Sequence, residues 1–232
     1  MAGFKTHITT STVLGVAYGV TAKVAYDVPL PACVLAGGLC SVSGMLPDLD
    51  SGPGVPLRES LSFAAAVVPM LMIDRFNQMG LAPETIVLIG GALYLLIRFG
   101  LGKVLRKWCV HRGMFHSIPA LAIVGELVFL ISAHEDPMMR AFNAGAVMLG
   151  FGSHLVLDEI WSIEFRHGFR LKSSFGTAIK FWGDCWWSNL LTYANLIVLT
   201  VMILGDPTIS PTKPGDEATQ EVATQPANRD LQ

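Results

Sequence analysis

Charge is scarce in this sequence. Only 15% of its 232 residues are Asp, Glu, Lys or Arg, against 52% that are hydrophobic, and a mean hydropathy of +0.51 is too apolar for an ordinary water-exposed domain. With a formal net charge of −2 and no run of Lys and Arg, the chain lacks the basic surface that tracks a phosphate backbone, which disfavours nucleic-acid binding. The cysteines Cys33, Cys40, Cys109 and Cys185 form no C-x-x-C pair, which removes zinc ribbons and thioredoxin-like motifs. No internal repeat is evident either, whereas many transporters are built from repeated halves.

What is abundant is apolar sequence, in about seven segments: 8–26, 31–46, 61–73, 84–99, 117–133, 139–160 and 190–204. The expectation is an all-α, multispan transmembrane helical bundle over residues 1–205, with a disordered tail from Asp206 to Gln232 that is rich in Pro, Thr, Gln and acidic residues. A cleaved signal peptide is the competing reading of the first segment. Its hydroxyl residues Thr9, Thr10, Ser11, Thr12 and Thr21, and the single basic residue Lys5 ahead of it, favour a retained helix. Segment 61–73 is shorter than the roughly 20 residues that cross a bilayer, so it is expected to be tilted or shallow. Glu126, inside the fifth segment, needs a polar partner in the bundle, because a bare carboxylate in hydrocarbon is costly. Between 162 and 188, basic residues alternate with Trp and Phe, a mixture suited to the headgroup layer.

Chemistry enters with His111-Arg112-Gly113-Met114-Phe115-His116, where two imidazoles and a guanidinium fall within six residues. Imidazole is a common metal ligand, and Arg holds carboxylate or phosphate bidentately. By itself the cluster reads more readily as ordinary interfacial residues than as ligands. His154 and Asp158 are four apart, hence on one helix face and able to converge on one cation. Asp48 and Asp50 end the second segment, and His7 opens the first. Threading seven spans brings His7, Asp48, Asp50, His111, His116, His154 and Asp158 to one side of the membrane. Of 16 Lys and Arg residues, the same threading sends only Lys23, Arg75, Arg140, Lys213 and Arg229 to the other side. By the positive-inside rule the ligand side is the cytoplasm.

In this order, Thr6-His7, Leu46-Pro47-Asp48-Leu49-Asp50, His111-Arg112-Gly113 with His116-Ser117, and Ser153-His154-Leu155 with Leu157-Asp158 resemble the YdjM-type inner-membrane metal-dependent hydrolases. The resemblance implies a multispan inner-membrane protein with His7, Asp48, Asp50, His111, His116, His154 and Asp158 as metal ligands, and a distant kinship with zinc-dependent phospholipases C. The chain departs from the family's usual Thr and Gly-Pro turn after the last motif, carrying Glu159-Ile160-Trp161 there instead. The donor types suit zinc, with manganese or iron as alternatives. Arg112, which has no lone pair to give a metal, is the expected catalytic residue that holds an anionic group. The expected reaction is hydrolysis of a phospholipid or other phosphoester at the cytoplasmic membrane surface, with membrane lipid as partner. Two alternatives stand beside it: a structural metal site in a protein that docks a cytoplasmic regulatory partner, and a metal transporter.

Overall fold

The computed structural model describes residues 3–50, 54–101, 103, 114–164, 170–171, 176 and 179–209. In chain order the elements are α1 (Phe4–Tyr26), α2 (Leu30–Ser43), a 3-10 turn (Leu46–Asp50), α3 (Val55–Leu71), a short α4 (Ile73–Gln78) and α5 (Pro83–Leu95), which runs on as a π-helical turn (Leu96–Leu101). They continue with α6 (Ile118–Ile131), α7 (Pro137–Trp161), a two-residue antiparallel pairing of β1 (Ile163–Glu164) with β2 (Arg170–Leu171), and α8 (Trp186–Leu204). Among the described residues the regular structure is all-helical apart from that pairing. Proline sits in the first turn of α2, α3, α5, α6 and α7, where its missing N–H would be unpaired anyway and its φ suits a helix. This placement explains why the third helix starts at Val55, ahead of the apolar run at 61–73. Pro69 inside α3 cannot donate to the preceding turn, and the helix stops two residues later.

The expected count of about seven spans is met only in part. Among the described residues, two helices are long and apolar enough to cross a membrane, Pro83–Leu101 and Trp186–Leu204, while Leu30–Ser43 and Ile118–Ile131 are apolar but shorter. Helix α1 is less apolar because its inward face is small and polar. On α1 the buried residues are His7, Ser11, Gly15, Gly19 and Ala22, whereas Val13, Val16, Val20 and Val24 point outward and are exposed. This inverts the pattern of a water-soluble helix and matches helices that pack through small residues in lipid.

Small residues set the helix spacing. A side chain at Gly15 would strike the Gly37 carbonyl on α2, and one at Gly150 would strike the Cys40 carbonyl and Ser43 Oγ. Helices α1, α2 and α7 therefore meet backbone to backbone around a core of Ala36, Leu39, Cys40, Ala146 and Val147. Cys33 and Cys40 are free and buried, small packing residues in this contact. Between α6 and α8, Thr200 Oγ1 meets Glu126 Oε1 at 2.6 Å, which supplies the carboxylate with its partner.

The helices alternate in direction between two poles. At one pole Ala133 N–H donates to the Leu71 carbonyl (3.2 Å), joining the ends of α6 and α3. There Arg140 at the start of α7 donates to Asp206 Oδ2 (2.7 Å), Thr208 Oγ1 (2.9 Å) and the Phe129 carbonyl (3.0 Å). Arg140 is almost fully buried, and its guanidinium lies 4.4 Å from the centre of the Phe129 ring. The Arg140 hydrogen bond holds the Asp206 carboxyl well below the usual carboxylate range. The sequence assigns Asp206 onward to a tail, but these contacts hold Asp206 against the bundle. Asp206 and Thr208 belong to the fold, and 210–232 lie outside the described residues.

Candidate metal centre

The other pole collects the histidines. His7 lies in the first turn of α1, and His154 and Asp158 lie one turn apart near the end of α7. Asp48 sits in the 3-10 turn after α2, where fully buried Pro47 anchors the backbone. His116 immediately precedes Ser117, whose Oγ caps α6 by accepting from Ala120 N–H (3.2 Å) and donates to the Met114 carbonyl (2.5 Å). Capping thus fixes the residue next to His116 from both sides. His7, His116, His154 and Asp158 are all buried; the Asp48 side chain is 24% exposed and forms the accessible edge.

Two imidazole nitrogens face the same two carboxylate oxygens. His116 Nε2 is 3.8 Å from Asp48 Oδ1 and 3.9 Å from Asp158 Oδ2, and His154 Nε2 is 3.8 Å and 3.6 Å from the same two oxygens. These separations exceed hydrogen-bond length. Donors bound to a tetrahedral ion through bonds of roughly 2.0–2.2 Å would sit roughly 3.3–3.6 Å apart, slightly closer than they are here. His154 is the most informative. A backbone carbonyl only accepts, so the 2.7 Å contact between Nδ1 and the Gly44 oxygen makes Nδ1 the protonated nitrogen and leaves a lone pair on Nε2. That Nε2 is buried and has no hydrogen-bond partner among the described residues.

Two candidate ligand groups, His7 with His154 and Asp158, and Asp48 with His116 and His154, share His154. Because only Nε2 of His154 is available, both groups describe one centre. His7 stands behind it, with its ring stacked on His154 (centroids 3.7 Å apart) and its Nε2 3.3 Å from Oδ1 of Asp158, the oxygen turned away from His116 and His154. Burial first, then the neighbouring His154, pushes the His116 imidazole down to about 4, so this ring is neutral at physiological pH, the form that ligates a metal. A divalent cation there would balance the Asp48 and Asp158 carboxylates.

Of the residues expected to form the site, the structure brings together His7, Asp48, His116, His154 and Asp158. Asp50 lies in the 3-10 turn, its side chain outside the described set, and His111 and Arg112 lie outside the described residues. Two participants were not anticipated. The Gly44 carbonyl follows from no side-chain motif. Lys180 reaches the site only because the segment before α8 folds back, its carbonyl accepting from Ile118 N–H (3.0 Å); its charge acts on His116.

Comparison with known proteins agrees with the motifs. A model of the YdjM inner membrane protein family matches residues 1–206. No curated protein and no solved structure matches. The chain belongs to the YdjM family and is an integral protein of the inner membrane.

Proposed function

We propose that this inner-membrane YdjM-family protein is a metal-dependent hydrolase whose one-ion centre acts on a phosphoester at the cytoplasmic membrane surface. The observation that carries the reading is the buried His154 Nε2, its lone pair facing Asp48 Oδ1 and Asp158 Oδ2 at 3.8 and 3.6 Å while its other nitrogen is locked by Gly44. His116, His154, Asp48 and Asp158 would hold the ion, and the mixed imidazole and carboxylate set suits zinc, with manganese or iron as alternatives. A divalent ion bound there supplies Lewis acidity toward a phosphoryl oxygen and toward water.

The side chains do the rest. His7 fixes the Asp158 carboxylate through Oδ1, and the Ser117 cap fixes His116; such supports orient ligands. Arg112 is our candidate for gripping the substrate's anionic group. In the hydrolysis, a water oxygen joins phosphorus, the ester P–O bond breaks, and the alcohol oxygen leaves with a proton. The 24% exposure of Asp48 favours an approachable centre over a closed structural one, and the position of the donors at helix ends speaks against a transporter site, expected near the bilayer midplane.

We read the less apolar helices as membrane-embedded too, giving about seven crossings, on the strength of the outward valines of α1 and its glycine-lined contact with α2. The test is release of inorganic phosphate or alcohol from a short-chain phosphoester by the purified, zinc-loaded chain. His154→Ala should abolish turnover, and turnover equal to wild type in that variant would end the reading.

A further inference from the structure

The segment 179–187 forms a strap from the metal pole to α8, and nearly every turn of it is pinned. The Lys180 carbonyl accepts from Ile118 N–H (3.0 Å), the Phe181 carbonyl from Tyr193 Oη (2.7 Å), and buried Asn189 clasps Gly183 by its N–H and its carbonyl (both 2.8 Å). Yet Phe181, Trp182, Trp186 and Trp187 on this pinned backbone are each more than half exposed. Trp186 stacks on Trp187 (4.1 Å) at the first residues of α8, one of the two helices long and apolar enough to span. Aromatic rings at the start of a span belong to the membrane interface. The metal pole is therefore level with the headgroups. Lys180 is the strap's one cation and is only partly exposed. Among the described residues it pairs with no carboxylate, and its carbonyl is tied to a residue two positions from His116.

We propose that Lys180 receives the anionic phosphate headgroup of a membrane phospholipid, with the aromatic strap seated in the interface so that the lipid enters the His/Asp centre from the bilayer. This rests on the hydrolase reading for what happens next, but not for the binding itself. A partly buried ammonium without a counter-charge gains from an anion, and the strap supplies the apolar surface that a free phosphate would not use.

The full chain in uncharged mixed micelles tests it, through quenching of tryptophan fluorescence by brominated phosphatidic acid or brominated phosphatidylcholine. Half-quenching by phosphatidic acid should need about tenfold less lipid, the size of one charge-assisted contact. Lys180→Gln should erase that difference and Lys180→Arg should keep it, with helical circular dichroism unchanged in both. An undiminished preference in Lys180→Gln would overturn the proposal. So would inorganic phosphate relieving the quench at the concentration at which the lipid acts, which would identify a site for free phosphate. The preference is also read on metal-free protein, so a chain that binds no zinc would defeat the hydrolase reading and leave the Lys180 result standing.

Discussion

The two poles of the bundle are built from similar materials and end in opposite states. At the Arg140 pole, a buried guanidinium meets Asp206, Thr208 and a backbone carbonyl at 2.7 to 3.0 Å, so opposite charges cancel and donors meet acceptors. At the histidine pole, imidazole nitrogens and carboxylate oxygens converge at 3.6 to 3.9 Å, and a buried nitrogen of His154 has no hydrogen-bond partner among the described residues. The first arrangement is complete as it stands. The second is one that, on our proposal, a cation would complete. Burial of polar groups alone does not mark a site; the direction of their lone pairs does.

The largest effect should come from breaking the complete pole. Asp206→Ala leaves Arg140 buried and uncompensated, and unfolding in detergent should show a loss of about 3–5 kcal/mol, with no change in metal content. The pH dependence follows from the sign of the Asp206 shift. Its folded carboxyl titrates below the usual range because Arg140 donates to it, whereas the unfolded one titrates at about 3.9. The pair's contribution is therefore full above that value and drains away as pH falls toward the folded one. The gap in stability between wild type and Asp206→Asn should be constant from neutral pH to about 5 and narrow below about 4.

The incomplete pole should respond to metal instead. Zinc at 100 times its dissociation constant should stabilise wild type by about 2.7 kcal/mol, and His154→Ala should show no zinc-dependent shift in thermal unfolding. His7 sharpens the comparison, because it touches Asp158 Oδ1 and not the convergent face. His7→Gln should retain the ion with affinity lowered about 10- to 100-fold, as for an orienting residue. Affinity lost entirely would make His7 a ligand. The smallest effect belongs to the pair between the poles: Thr200→Val, which removes the partner of Glu126, should lower stability by about 0.6 kcal/mol, the usual size of such a bond within a membrane bundle.

Much of the histidine pole was legible in the sequence because helical spacing is local. His154 and Asp158, four apart, had to share a face, and Pro47 with the carboxylates had to end a helix. The alternation of helices then carried His7, Asp48 and His116 to the same end. Span lengths were less legible, because α1 and α7 bury small and polar residues and so dilute the hydropathy signal. Asp206 looked like the start of a tail because its partner, Arg140, is 66 residues away and no local pattern links them. Lys180 was hidden for the same reason, since a fold-back of the chain carries it to Ile118.

The most direct test of the account is the metal content of the full chain purified in uncharged detergent and equilibrated with zinc. About one ion per chain is predicted, as expected for a single set of four donors, falling to background in a His116→Ala, His154→Ala, Asp158→Ala triple variant that keeps its helical circular dichroism. Zinc retained at the wild-type level by that folded triple variant would contradict it.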